Sequence, residues 1–93
     1  MKIYLVKGQT DNYDEEMEWI VCAYKKKSDA ESHKKAANKI TYDFFERNKR
    51  GDGEFIAIQA LGTCVNPYDE FMQMEAGGTT YFIETTELFE EFE

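Results

Sequence analysis

The sequence predicts a small α+β domain: a short antiparallel sheet in the order β-β-α-β-β, with one amphipathic helix packed on one face. Three observations carry that prediction. Two β-branched and aromatic runs, residues 2–7 and 17–24, flank a stretch of turn formers. Ala30, His33, Ala37, Ile40 and Phe44 then recur at spacings of three and four, the stripe of a helix. Two more strand-like runs follow at residues 55–61 and 79–86. Strands that are not interleaved with helices favour an antiparallel sheet over a parallel one.

The first strand, Lys2-Ile3-Tyr4-Leu5-Val6-Lys7, gives way to a loop over Gly8-Gln9-Thr10-Asp11-Asn12-Tyr13-Asp14, short enough for a hairpin. In the second strand, strict alternation puts Trp19, Val21 and Ala23 on one face and Ile20, Cys22 and Tyr24 on the other. Apolar residues on both faces predict a central position in the sheet. The helix is expected over residues 29–48. Ser28 with Glu31 reads as a capping box, Gly51 as the C-cap and Asp52-Gly53 as a turn. Lys34, Lys35, Lys39, Asp43 and Glu46 fall on its wet side, and Arg47, Lys49 and Arg50 at its end favour the helix dipole. Residues 62–78 are irregular around Asn66-Pro67, with residues 71–74 either extended or a helical turn. In the last strand Tyr81 and Ile83 share a face opposite Phe82. Leu88, Phe89 and Phe92 lie among glutamates, either as a docking amphipathic helix or as a frayed end.

The 93 residues, 42% of them apolar, are expected to fold as a single domain spanning 1–93. No apolar run approaches the ~18 residues of a membrane span. The start of the chain lacks the pattern of a signal peptide, which places the protein in the cytoplasm, with no membrane partner. Two unclustered cysteines fit that compartment.

The net charge of −8 is strongly polarised. Residues 25–50 carry nine basic and four acidic groups, whereas residues 51–93 carry ten acidic groups and no Lys or Arg. Such a surface is mismatched to free nucleic acid, which is bound by neutralising phosphates with cations. It matches a protein with a basic surface. Asp69, Glu70, Glu75, Glu84, Glu87, Glu90 and Glu91, with Phe89 and Phe92, are therefore the candidate partner-binding residues. Together with Glu93, these acids either imitate spaced phosphates or keep the protein soluble. The lysines at 25–27, 34, 35 and 39 read as a solvated helix face.

No catalytic signature emerges, and the chain is expected to be non-enzymatic and without cofactor. One His and two Cys cannot build a four-ligand N/S zinc site. Asp11, Asn12, Asp14, Glu15 and Glu16 cluster oxygens, but not at the spacing of a calcium loop. His33 on the helix stripe reads as a boundary histidine with satisfied hydrogen bonds, and Cys22 and Cys64 as buried thiols. Neither Gly51-Asp52-Gly53 nor Gly77-Gly78 forms a phosphate loop, and Arg50-Gly51-Asp52 is a helix stop.

Four segments together resemble a group of short phage- and prophage-encoded proteins. They are Lys2-Ile3-Tyr4-Leu5-Val6, the strand at 18–24 leading into Ser28-Asp29-Ala30-Glu31, Asn66-Pro67-Tyr68-Asp69, and Gly78-Thr79-Thr80-Tyr81-Phe82-Ile83-Glu84. Glu70 stands where that group tends to carry a second proline, so the conformation of residues 71–75 is not carried over. The resemblance implies a protein that acts stoichiometrically in the host cytoplasm, by binding host machinery or a defence complex. Anti-CRISPR proteins are similar to it in size and charge. A structural module that dimerises through its open sheet face is the alternative, since apolar residues there need a cover.

Overall fold

The computed structural model describes residues 1–10, 17–50, 55–56, 63–72 and 78–87, with the main chain alone at Arg50, Phe55 and Ile56. Its elements are β1 (Lys2–Thr10), β2 (Glu18–Tyr24), α1 (Lys27–Asn48), β3 (Lys49–Arg50), β4 (Phe55–Ile56) and β5 (Thr79–Glu87). The main sheet is antiparallel and three-stranded in the order β2-β1-β5, and α1 packs on one face of it. The α+β class is as predicted. The strand count is not, because β3 and β4 pair with each other in a separate ribbon and do not join the main sheet. The remainder of the expected strand at 55–61 lies outside the described residues.

β1 is the centre of the sheet, not β2. Its second side is taken by β5 in an unbroken register from Lys2↔Glu87 to Thr10↔Thr79. β2 is thus an edge strand. β1 also runs past Lys7 to Thr10, where the Thr10 amide donates to the Met17 carbonyl at 3.0 Å and closes the hairpin. The predicted alternation in β2 fails for a local reason. Val6 pairs with Cys22 and Lys7 with Ile20, so Val21 is an extra residue in a β-bulge. The bulge shifts the phase of the strand. Trp19, Cys22 and Tyr24 become the more buried positions, while Ile20 and Ala23 are exposed.

The helix stripe is as the spacing predicts. Ala30 and Ala37 are fully buried, Phe44 and Thr41 nearly so, and His33 and Ile40 partly. Small residues at Ala30 and Ala37 let the helix sit close to the layer beneath. The capping box does not form: Lys26 is the N-cap, no side chain caps the helix, and Ser28 already lies inside it. Lys49, not Gly51, ends the helix, because the chain turns directly into β3.

Among the described residues the buried set is half polar: Val6, Ala30, Ala37, Phe44 and Tyr81 with Thr10, Thr41, Asn66, Asp69 and Thr79. Polar groups at that depth must find partners. How they do so determines the architecture around residues 66–72.

Candidate functional site

On the inner face of the sheet, Gly8 lies directly between Trp19 and Tyr81 in neighbouring strands. A Cβ at Gly8 would stand 2.6 Å from the Trp19 ring, so the indole packs directly against the glycine. Both flanking side chains converge on Asp69. Trp19 Nε1–H donates to Asp69 Oδ2 at 2.9 Å, and the Tyr81 hydroxyl donates to the same oxygen at 2.8 Å.

The Asn66-Pro67-Tyr68-Asp69 segment is built for this. Asn66 Oδ1 accepts from the Tyr68 amide and Asp69 Oδ1 from the Phe71 amide, each at 3.0 Å, so each side chain shapes the turn that follows it. The other end of each points inward. Asn66 Nδ2 donates to the Ala37 carbonyl at 3.2 Å and to the Tyr81 hydroxyl at 3.3 Å. Residues 69–72 form a turn, with the Met72 amide on the Asp69 carbonyl at 3.3 Å.

A second anchor comes from α1. His33 Nε2 donates to the Tyr68 carbonyl at 2.6 Å, and its Nδ1 shares a hydrogen bond of 2.8 Å with the Tyr24 hydroxyl. The ring also meets Tyr68 edge-on. The histidine is a saturated structural link between β2, α1 and the loop, as its place on the stripe suggested. A third contact holds β5. Asn38 Oδ1 accepts from the Tyr81 amide at 2.8 Å, and Asn38 Nδ2 donates to the Tyr81 carbonyl at 3.1 Å.

Burial and the Asp69 carboxylate push the Tyr81 phenol well above its usual range, so it stays a donor. Burial likewise raises both thiols, Cys22 and Cys64, which keeps them protonated and poorly nucleophilic at neutral pH. Cys64 lines a recess of ≈ 390 Å³ with Arg47, Phe44 and Val65, but burial outweighs the arginine's opposing effect. A groove of ≈ 450 Å³ runs between α1 and the start of β5, lined by Tyr42, Phe45, Gly78 and Thr79 among others. Among the described residues its lining includes one carboxylate, Glu46, and no histidine or cysteine. Among the described residues no group of His, Cys, Asp or Glu could hold a metal ion. The acidic cluster at residues 11–16 lies outside them.

Of the predicted partner-binding residues, Asp69, Glu70, Glu84 and Glu87 lie among the described residues, and Asp69 does not share a surface with the other three. Asp69, expected among the partner-binding residues, is 2% exposed and fully engaged, so it is withdrawn from any docking face and instead anchors its loop. Glu70, Glu84 and Glu87 are exposed. Glu75, Phe89, Glu90, Glu91 and Phe92 lie outside the described residues. Glu84 faces the outer side of the sheet, where one ammonium, Lys7, is shared between Glu84 at 3.5 Å and Glu18 at 3.2 Å. The hydrogen bond to Glu18 raises the Lys7 ammonium above its usual value, so Lys7 stays charged between the two side chains. Glu87 pairs with the terminal ammonium at 3.4 Å. On α1, Lys34 and Lys39 pair with Glu31 and Asp43 on the same helix, as a solvated face would.

Sequence reasoning missed Trp19, Asn38 and Tyr81. The available signal was chemical: an indole N–H and a phenol O–H on inward-facing strand positions each need an acceptor. No helix among the described residues is long and apolar enough to cross a membrane. No protein-family model matches the chain, and no curated protein or solved structure is significantly similar to it.

Proposed function

We propose that this protein is a non-enzymatic, phage-encoded binding protein whose acidic side docks on a basic protein surface, inhibiting a host complex that handles nucleic acid, in the manner of an anti-CRISPR protein. The phage setting rests on the resemblance in the sequence. The observation that carries the docking mode is β5: Glu84 and Glu87 stand exposed on a strand fixed to the sheet along its whole length, in a half of the chain with no Lys or Arg. A fixed acidic strand supports fast, electrostatically steered association.

The test is capture from host lysate at low and high salt, with Glu84→Lys and Glu87→Lys compared to the parent. The expected result is a stoichiometric partner that salt releases and that the reversals weaken. Binding indifferent to salt and to both reversals would refute the electrostatic reading.

One observation favours a second reading, a module that dimerises through its open sheet face. Ile20 is 55% exposed on the face opposite the helix. Its row there includes Lys7 and Phe82. Sedimentation at increasing concentration separates the two readings: a discrete dimer favours the module, a monomer throughout the acidic inhibitor.

A further inference from the structure

We infer that the free edge of β5, over residues 83–87, is a docking site for an extended basic segment of a partner protein, added to the sheet as a fourth strand. The inference rests on the proposed acidic docking and names its geometry.

The two bonds from Asn38 to the Tyr81 amide and carbonyl fix which way this strand's backbone points. Tyr81 spends both groups on the helix side, away from β1. In an unbroken antiparallel register every second residue repeats that direction, so Ile83, Thr85 and Glu87 also turn their N–H and C=O groups away from β1. None of these groups has a hydrogen-bond partner among the described residues. The two edges of the sheet therefore differ. β2 carries the bulge at Val21, a feature that discourages strand addition, whereas on β5 Asn38 occupies the outward groups of Tyr81. Past Tyr81 the register stays regular, and Thr85 and Glu87 are exposed with respect to the described residues.

The side chains select the occupant. Glu84 lies on the outer face of this edge and Glu87 on the inner side, where the terminal ammonium already pairs with it at 3.4 Å, so the uncompensated charge an added strand meets lies on the outer face. Lys7 serves two carboxylates and neutralises one charge. Main-chain bonds supply the affinity of strand addition and flanking charges its selectivity. A second copy of β5 would set these glutamates near one another and is disfavoured.

The experiment combines amide exchange with a peptide titration. In the free protein the amides of Ile83, Thr85 and Glu87 exchange freely, while Tyr81 and the β1-facing amides of Phe82, Glu84 and Thr86 are protected. A synthetic peptide alternating lysine and threonine, added at low salt, is expected to protect Ile83, Thr85 and Glu87 selectively. Thr85→Pro removes one edge donor without touching the β1 ladder and should weaken that binding by about tenfold, with circular dichroism confirming the fold. A peptide of equal charge broken by prolines should not bind comparably. If it does, strand addition is overturned while acidic docking survives. Protection of the edge in the free protein, rising with its concentration, would overturn the assignment in favour of a second copy. Binding by neither peptide would overturn the site, and the lysate capture then reports separately on the parent reading.

Discussion

Replacing Gly8 with alanine drives a methyl group into the Trp19 ring, and the cost can be worked from the geometry. The new Cβ would lie 2.6 Å from Cε2 and Cζ2 and 2.9 Å from Nε1, closer than side chains tolerate. The indole must lift or tilt. Overpacking of this kind costs about 1–3 kcal/mol. Tilting also lengthens the 2.9 Å bond to Asp69, and a bond to a charged group contributes ~1.5–3 kcal/mol when lost outright. Alanine recovers about 0.4–1 kcal/mol through the unfolded chain. The net expectation is a loss of ~2–4 kcal/mol, or on the order of 10–30 °C in Tm for a domain of this size. Urea unfolding followed by circular dichroism measures it, and Trp19, the sole tryptophan, reports its own displacement by fluorescence. In a Trp19→Ala background the same alanine at Gly8 should be close to neutral, giving a coupling of ~2–4 kcal/mol. A Gly8→Ala variant with unchanged stability and an unchanged emission spectrum would refute the packed arrangement.

Thr10 Oγ1 is buried without a hydrogen-bond partner, so Thr10→Val should stabilise by about 1 kcal/mol in the same unfolding assay. Asp69→Ala strips the acceptor from Trp19, Tyr81 and the Phe71 amide at once; a loss of ~3 kcal/mol or more is expected, with residues 66–72 losing protection from proteolysis. The Tyr81 phenol is raised in the folded state, so that state holds its proton more tightly than the unfolded chain does. Its contribution is complete below the unfolded value near ~10 and falls as pH rises above it. Tyr81→Phe should therefore flatten the alkaline decline of the urea midpoint. Both thiols, raised by burial, should react with iodoacetamide at neutral pH far more slowly in the folded protein than in urea.

What the sequence made legible was local periodicity. The α1 stripe and the strands β1, β2 and β5 follow from spacing alone, because each pattern is complete within its own segment. Strand order was not legible: β2 has the apolar composition of a central strand, and only the pairing of β5 with β1 makes it an edge. The bulge at Val21 left no trace, since the residues on either side of it, Ile20 and Cys22, are as apolar as Val21 itself. The capping box failed although its residues were present, because the helix had already started at Lys27. Asp69 was misread by a sound general rule, that carboxylates stay wet. Its three neutral donors come from β2, β5 and its own loop, which no single segment reveals.

The Asn38 contact has a mechanical consequence. Apolar packing between a helix and a sheet is non-directional and tolerates sliding, whereas the two bonds to Tyr81 fix one register along the strand. A slip by one helical turn, ~5.4 Å, would break both at once and leave a strand amide and carbonyl bare. Aspartate at this position keeps the acceptor and loses the donor; glutamine keeps both but is a methylene too long. Asn38 thus acts as an index pin, setting where α1 stops against β5 and, through His33 on the same helix, where residues 66–72 are seated.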